Sequence, residues 1–301
     1  MSREVGGSHL ISRRSFLGCA AATALFPTPL LAQAAGQRMV SLDYGIASTL
    51  LSLGLPPVGL SDLADWSRWV VEPVLPKSVV DIGNSFEVNF EILLQLKPDI
   101  ILTTPFLDEL LPKLQSVARV IRLEVFSPDA GPVLPAAIAA TRQLASELGR
   151  EREAEAFLER ADAFFEQCRA RLADKKLPSI GLVNFMDARH ARIYSNPGLF
   201  HSALERIGLR NVWTENSDYW GFDTIGIEEL SRVTDPDARL IAFDPIPADV
   251  LPKLSASPLW NRLPFSRPGH LSVLPPVLMF GMVNEAVRFA SLLTDHLEKD
   301  A

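Results

Sequence analysis

The 301-residue sequence predicts an α/β fold of two lobes. Three observations carry that expectation. Short apolar β-rich runs alternate with helical patterns, the signature of strand–helix units that build a parallel sheet. One long helical pattern interrupts the rhythm near mid-chain, with strand-rich halves on either side. No repeat of 20 to 50 residues is present, which excludes solenoids and propellers.

In chain order the candidate strands are Met39 to Leu42, Val79 to Ile82, Ile100 to Thr103, Val120 to Leu123, Ser179 to Phe185, Arg192 to Tyr194, Leu240 to Phe243 and Leu271 to Leu274. Helical patterns fall between most of them. The punctuation is explicit before the third strand, where a helix closes on Lys97, Pro98 blocks its continuation and Ile100-Ile101-Leu102 follow. From Arg150 to about Asp174 there is neither Gly nor Pro, and Ala154, Phe157, Leu158, Ala161, Phe164, Phe165, Cys168 and Leu172 recur at helical spacing. That predicts one amphipathic helix of about 24 residues. It is read either as an ordinary core helix or as a strut between lobes spanning 35–149 and 176–301, with 150–175 as the connection.

The first residues carry an address. Ser12-Arg13-Arg14-Ser15-Phe16-Leu17 runs into a weakly apolar segment ending Leu31-Ala32-Gln33-Ala34, the pattern of a twin-arginine signal peptide over residues 1–34. The alternatives are a membrane anchor or a lipid on Cys19. The apolar run from Phe16 to Leu31 holds Pro27, Pro29 and Gly18 and is shorter than the roughly 20 residues a spanning helix needs. The expected location is the periplasm. Cleavage takes away three arginines and one glutamate, moving the net charge from −7 to −9. An acidic chain of this kind is poorly suited to nucleic acid, whose phosphates need clustered Lys and Arg. Cys168 remains as a lone thiol in a helical pattern, read as a small buried hydrophobe.

Catalytic constellations are missing from the sequence. There is no Gly-x-Gly-x-x-Gly, no Walker sequence, no Gly-x-Ser-x-Gly and no His-Glu-x-x-His. His190, His201, His270 and His296 do not fall at metal-ligand spacing, and Glu228-Glu229 reads as a solvated face. An exported hydrolase is therefore the weakest of the functional readings. Aromatic residues in polar, turn-like contexts stand out instead: Trp66 and Trp69 in one half, Trp213, Tyr219, Trp220 and Phe222 in the other. Aromatics so placed line clefts, and two clusters point to a ligand held between lobes.

The stretch Arg68-Trp69-Val70-Val71-Glu72-Pro73-Val74-Leu75-Pro76 through Gly83, then Glu87-x-Asn89-x-Glu91 and Leu96-Lys97-Pro98-Asp99, resembles the periplasmic ferric-hydroxamate siderophore-binding proteins of ABC importers. Asp187-x-Arg189-His190, Asn196-x-x-Leu199-Phe200, Asn211-x-Trp213, Trp220-Gly221 and Pro258-Leu259-Trp260 extend the likeness in the same order. The resemblance implies two α/β lobes joined by one long helix, a shallow cleft, and a monomeric receptor that collects a ferric siderophore and delivers it to an inner-membrane permease and its ATPase. It implies no cofactor, because the iron arrives already chelated.

Carried over position by position, the resemblance places Tyr44, Trp69 and Trp220 in the cleft. Ser85 stands where an arginine is implied, Phe106 stands near an implied tyrosine, and Leu278 and Phe280 replace two cleft aromatics. With Phe222 these form the expected ligand-binding set. Loss of the arginine predicts a more apolar cleft that recognises shape and aromatic surface, with Arg68 and Arg192 supplying charge. A hydroxamate or citrate–hydroxamate chelate ranks ahead of other iron chelates. The same scaffold also serves a cobalamin or haem reading, with Tyr44 the cleft-matched axial candidate for haem. The resemblance further implies Glu109 and Glu228 as permease-docking carboxylates, one on each lobe.

Overall fold

The computed structural model describes residues 36–299; the expected export signal at 1–34 lies outside the described residues. The first half runs β1 (Met39–Ser41), α1 (Tyr44–Ser52), β2 (Gly59–Leu60), α2 (Trp66–Trp69), β3 (Val80–Asp81), α3 (Phe90–Leu96), β4 (Ile100–Thr103), α4 (Leu111–Gln115) and β5 (Arg119–Arg122). Its five strands form an all-parallel sheet in the order β3-β2-β1-β4-β5. Local chemistry sets the helix ends. Asp43 caps α1 by accepting from the Ile46 amide at 2.9 Å, and Asn89 caps α3 by accepting from Ile92 at 3.1 Å. Lys97 adopts a left-handed conformation (φ 46°) and ends α3 ahead of Pro98, at the break expected from the sequence.

Two helices then carry the chain across. α5 (Val133–Leu148) ends at Gly149, whose φ of 64° suits a residue without a side chain, and α6 (Glu151–Leu172) begins directly afterwards. α6 is the expected long helix, 22 residues or about 33 Å. Its buried face is Ala154, Phe157, Leu158, Ala161, Phe165, Cys168 and Leu172. Each fully buried phenylalanine of such a stripe contributes roughly 1.5–3 kcal/mol. Glu151 and Glu153 in its first turn and Arg169 and Arg171 in its last complement the helix dipole.

The second half runs β6 (Ile180–Phe185), β7 (His190–Tyr194), α7 (Leu199–Arg206), β8 (Phe222–Gly226), β9 (Arg239–Phe243), α8 (Val250–Ser255), β10 (Leu271–Leu274) and α9 (Val283–Lys299). The sheet order is β10-β9-β6-β7-β8. This sheet is mixed, whereas the strand–helix units read from the sequence predict parallel pairing only. β6, β9 and β10 are parallel, but β6 turns tightly into β7 and β7 pairs antiparallel with β8. One apolar core runs beneath both sheets, from Met39, Ile100 and Leu102 through the α6 stripe to Leu182, Ile241 and Phe289 of α9.

Two strands escape the sequence reading for different reasons. β2 is two residues long, too short to establish a period. β8 is a sheet edge in which the polar pair Asp223-Thr224 breaks the apolar alternation, so it reads as loop. Phe222, expected in a turn, is its first residue.

Candidate ligand cleft

The strand order of the first sheet reverses direction at β1, with β2 and β3 on one side and β4 and β5 on the other. Such a switch point opens a crevice at the carboxyl ends of the strands. A cleft of about 620 Å³ lies there. The first half lines it from the segments after its strands: Leu42, Asp43 and Tyr44 after β1, Ser61 and Asp62 after β2, Ser85 after β3, Thr104, Phe106 and Leu107 after β4, and Phe126 after β5. The second half contributes Asn184 and Arg192, which pair across β6 and β7, together with Tyr194, Trp220, Phe222, Phe243, Asp244 and the 277–280 segment after β10.

Every residue of the expected ligand set faces this cleft: Tyr44, Trp69, Ser85, Phe106, Trp220, Phe222 and Phe280, with Leu278 beside them. Aromatic contacts join them. Trp220 meets Phe106 edge-on at 5.6 Å between centroids, meets Phe280 at 5.5 Å and stacks on Phe126 at 6.1 Å. Phe86, 64% exposed, extends the row by packing on Phe106 at 5.1 Å.

Trp220 owes its position to its neighbours. The Asp218 carboxylate accepts from the Trp220 amide at 2.9 Å, and Gly221 follows with φ 80°. A Cβ on Gly221 would lie 2.1 Å from the Gly198 Cα, so no other residue fits this crossing. On the opposite wall Trp69 ends α2, with the Arg68 guanidinium 4.9 Å over its ring.

Three expectations are corrected. Trp66 and Trp213 are core residues, each 4% exposed: Trp66 donates to the Pro73 carbonyl at 3.2 Å and packs with Leu60 and Val70, and Trp213 lies among Phe185, Trp260 and Leu230. Tyr219 packs against the Trp220 ring outside the cleft lining. The lining is also not simply apolar. Asp43, Asp62, Asp65 and Asp244 border it, against Arg192, whose guanidinium rests 4.8 Å over the Phe222 ring.

Ser85 has a defined partner. Its hydroxyl and amide donate to the Asp62 carboxylate at 2.5 and 3.0 Å, and the Asn84 amide adds a third bond at 2.7 Å. Asp62 itself sits at φ 54°, a left-handed conformation that Asp tolerates better than most residues. The Tyr44 hydroxyl donates to the Asp62 carbonyl. Burial, reinforced by Asp62, Asp65 and Asp81, raises the Tyr44 pKa, so its phenol keeps its proton. Burial also lifts Asp43 to about 6.

Glu109 is exposed on a 3-10 turn spanning Pro105–Leu110, and Glu228 is exposed on another spanning Ile227–Arg232. His190 pairs with Asp187 and His201 with Glu205, apart from each other and from the cleft. Among the described residues no group of three or more His, Cys, Asp or Glu side chains converges as a metal site. Cys168 is free and buried.

Asp62, Phe126, Asn184 and Asp244 were not anticipated. Asp244 directly follows a predicted strand, and the switch-point rule was signal enough. Asp62 follows the unrecognised β2, which hid it.

The chain resembles known proteins over almost its whole length. The iron(3+)-hydroxamate-binding protein FhuD of Escherichia coli (strain K12) is 30% identical over 298 residues, covering 96% of this chain and 97% of the relative. The crystal structure of the Fe3+-Desferal-bound siderophore-binding protein FhuD from Vibrio cholerae superposes with a TM-score of 0.80 at 30% identity, over 88% of this chain and 99% of that one. Staphylococcus aureus SirA complexed with staphyloferrin B shares the fold at 22% identity, with a TM-score of 0.63 over 87% of this chain and 92% of that one. The "Periplasmic binding protein" family model matches residues 39–278, and this chain belongs to that family.

Proposed function

We propose that this protein is the periplasmic substrate-binding component of an iron ABC importer, which captures a ferric siderophore of the hydroxamate class between its two halves. The observation that carries the reading is the row of rings from Phe86 through Phe106, Trp220 and Phe280, which spans a cleft sized for a small chelate. Such a wall recognises the apolar backbone of a trihydroxamate, while the chelator itself satisfies the iron. The protein's work on this reading is binding and delivery as a monomer, with no bond made or broken. The resemblance to iron(3+)-hydroxamate-binding relatives over 96% of the chain supports the ligand class.

Haem is disfavoured by one feature of the cleft. Tyr44 is the axial candidate, yet its hydroxyl is spent on the Asp62 carbonyl and its phenolate is disfavoured by burial and neighbouring carboxylates. Delivery to the permease is assigned to Glu109 and Glu228, exposed carboxylates on separate halves suited to meeting basic residues.

The test is titration of intrinsic tryptophan fluorescence with ferric trihydroxamates, ferric citrate, haem and cobalamin. Quenching by a ferric trihydroxamate at submicromolar concentration is expected. Binding of haem or cobalamin with no response to any iron chelate overturns the assignment.

A further inference from the structure

The charges around the cleft are unequal, and this asymmetry bears on which chelates it accepts. Asp62 is a built feature of the wall. Its backbone is held left-handed, and its carboxylate receives three hydrogen bonds, from Ser85 Oγ, Ser85 N and Asn84 Nδ2. All three donors are neutral, so these hydrogen bonds fix the carboxylate in place without setting a positive charge against it. Asp65 and Asp244 stand exposed along the same lining. The cations nearby are Arg192, whose guanidinium covers the Phe222 ring, and Arg68, placed over Trp69 at the edge. Burial is the main cause of the raised Tyr44 pKa, and Asp62, Asp65 and Asp81 add to it.

On the reading of the cleft as a ferric-hydroxamate site, we infer that it prefers chelates of positive charge, with Asp62 and Asp65 attracting a pendant ammonium of a linear trihydroxamate. A ferric trihydroxamate core is neutral, because three hydroxamate anions balance the ferric charge. A free terminal amine on the chelator therefore makes the whole complex a monocation. Citrate–hydroxamate and catecholate complexes are anionic and meet the same carboxylates unfavourably, since an anion needs donors that the aspartates do not supply.

A matched pair of ligands isolates that charge: the ferric complex of Desferal, which carries a free terminal amine, and the ferric complex of its N-acetyl derivative. The iron coordination is the same in both. At low ionic strength the amine complex is expected to bind about fivefold more tightly, with the ratio shrinking in 0.5 M salt. Asp65→Asn, at an exposed position, is expected to bring the ratio toward unity. Ser85→Arg, which sets a guanidinium beside Asp62, is expected to do the same and to improve binding of an anionic citrate–hydroxamate complex. Asp62→Asn provides a third variant, with circular dichroism to verify its fold. Equal affinities for the two ligands in the unmodified protein, or a ratio unmoved by Asp65→Asn and Ser85→Arg, overturn the charge preference alone. Failure of both ferric complexes to bind overturns the siderophore reading beneath it.

Discussion

Phe106 and Trp220 touch edge to face across the cleft, their ring planes at 90° and their centroids 5.6 Å apart. The first follows β4 of one sheet, and the second precedes β8 of the other. An aromatic pair of this geometry contributes about 0.5–1.5 kcal/mol beyond burial. A ligand seated between the halves therefore meets, or replaces, this contact.

Phe106→Ala is expected to weaken ferric trihydroxamate binding about tenfold while changing unfolding free energy by less than about 1 kcal/mol, because the ring is 54% exposed. Trp220 emission should shift as its partner disappears. A large loss of stability with unchanged affinity would make Phe106 a packing residue.

Gly221→Ala tests how Trp220 is held. The introduced methyl collides with the Gly198 backbone, and φ 80° is strained for alanine, so destabilisation by about 2 kcal/mol or more is expected together with weaker binding. Trp220→Ala, by contrast, should weaken binding without unfolding the protein. Urea unfolding and fluorescence titration of the two variants separate scaffold from contact.

A buried acid predicts the pH dependence of stability. Glu285, in the first turn of α9, is fully buried and reaches back to accept from the Met282 amide at 2.7 Å. Burial raises its pKa from 4.5 to about 7, and Asp43 adds a smaller upward contribution. The folded state thus holds a proton that the unfolded chain releases first. The stability this confers is complete below about pH 4.5 and is lost as pH rises toward 7. Glu285→Gln removes the titration, so the variant's stability relative to the parent should improve by on the order of 3 kcal/mol between pH 4.5 and pH 8. Parallel stability profiles from urea unfolding at the two pH values would refute it.

Reversal of charge at Glu109 and Glu228 addresses delivery. The double variant Glu109→Lys, Glu228→Lys should abolish iron uptake by cells while siderophore affinity stays within about twofold of the parent. Undiminished uptake of radioactive iron would remove both residues from the docking role.

Much of this molecule was legible along the chain because its signals are local. The α6 stripe from Ala154 to Leu172 follows a 3.6-residue period, Lys97-Pro98 marks a helix end, and the strands Ile100–Thr103 and Leu271–Leu274 stand as read, since periodicity and backbone punctuation act over a few residues. The resemblance to siderophore-binding proteins also pointed to Tyr44, Trp69, Ser85, Phe106, Trp220 and Phe280, and the aromatic run around Trp220 pointed to Phe222; all of these border one cleft.

Burial and charge partnership were decided only by the tertiary structure. Trp66 and Trp69 are three residues apart in similar surroundings, yet one is enclosed by Leu60 and Val70 while the other borders the cleft. Asp62 became a fixed carboxylate only when Ser85, 23 residues away, folded against it. The sequence by itself determined periodicity, helix boundaries and the residue types available to a ligand. Tertiary packing decided which side chains face one another, because contacts between distant segments depend on how sheets and helices assemble.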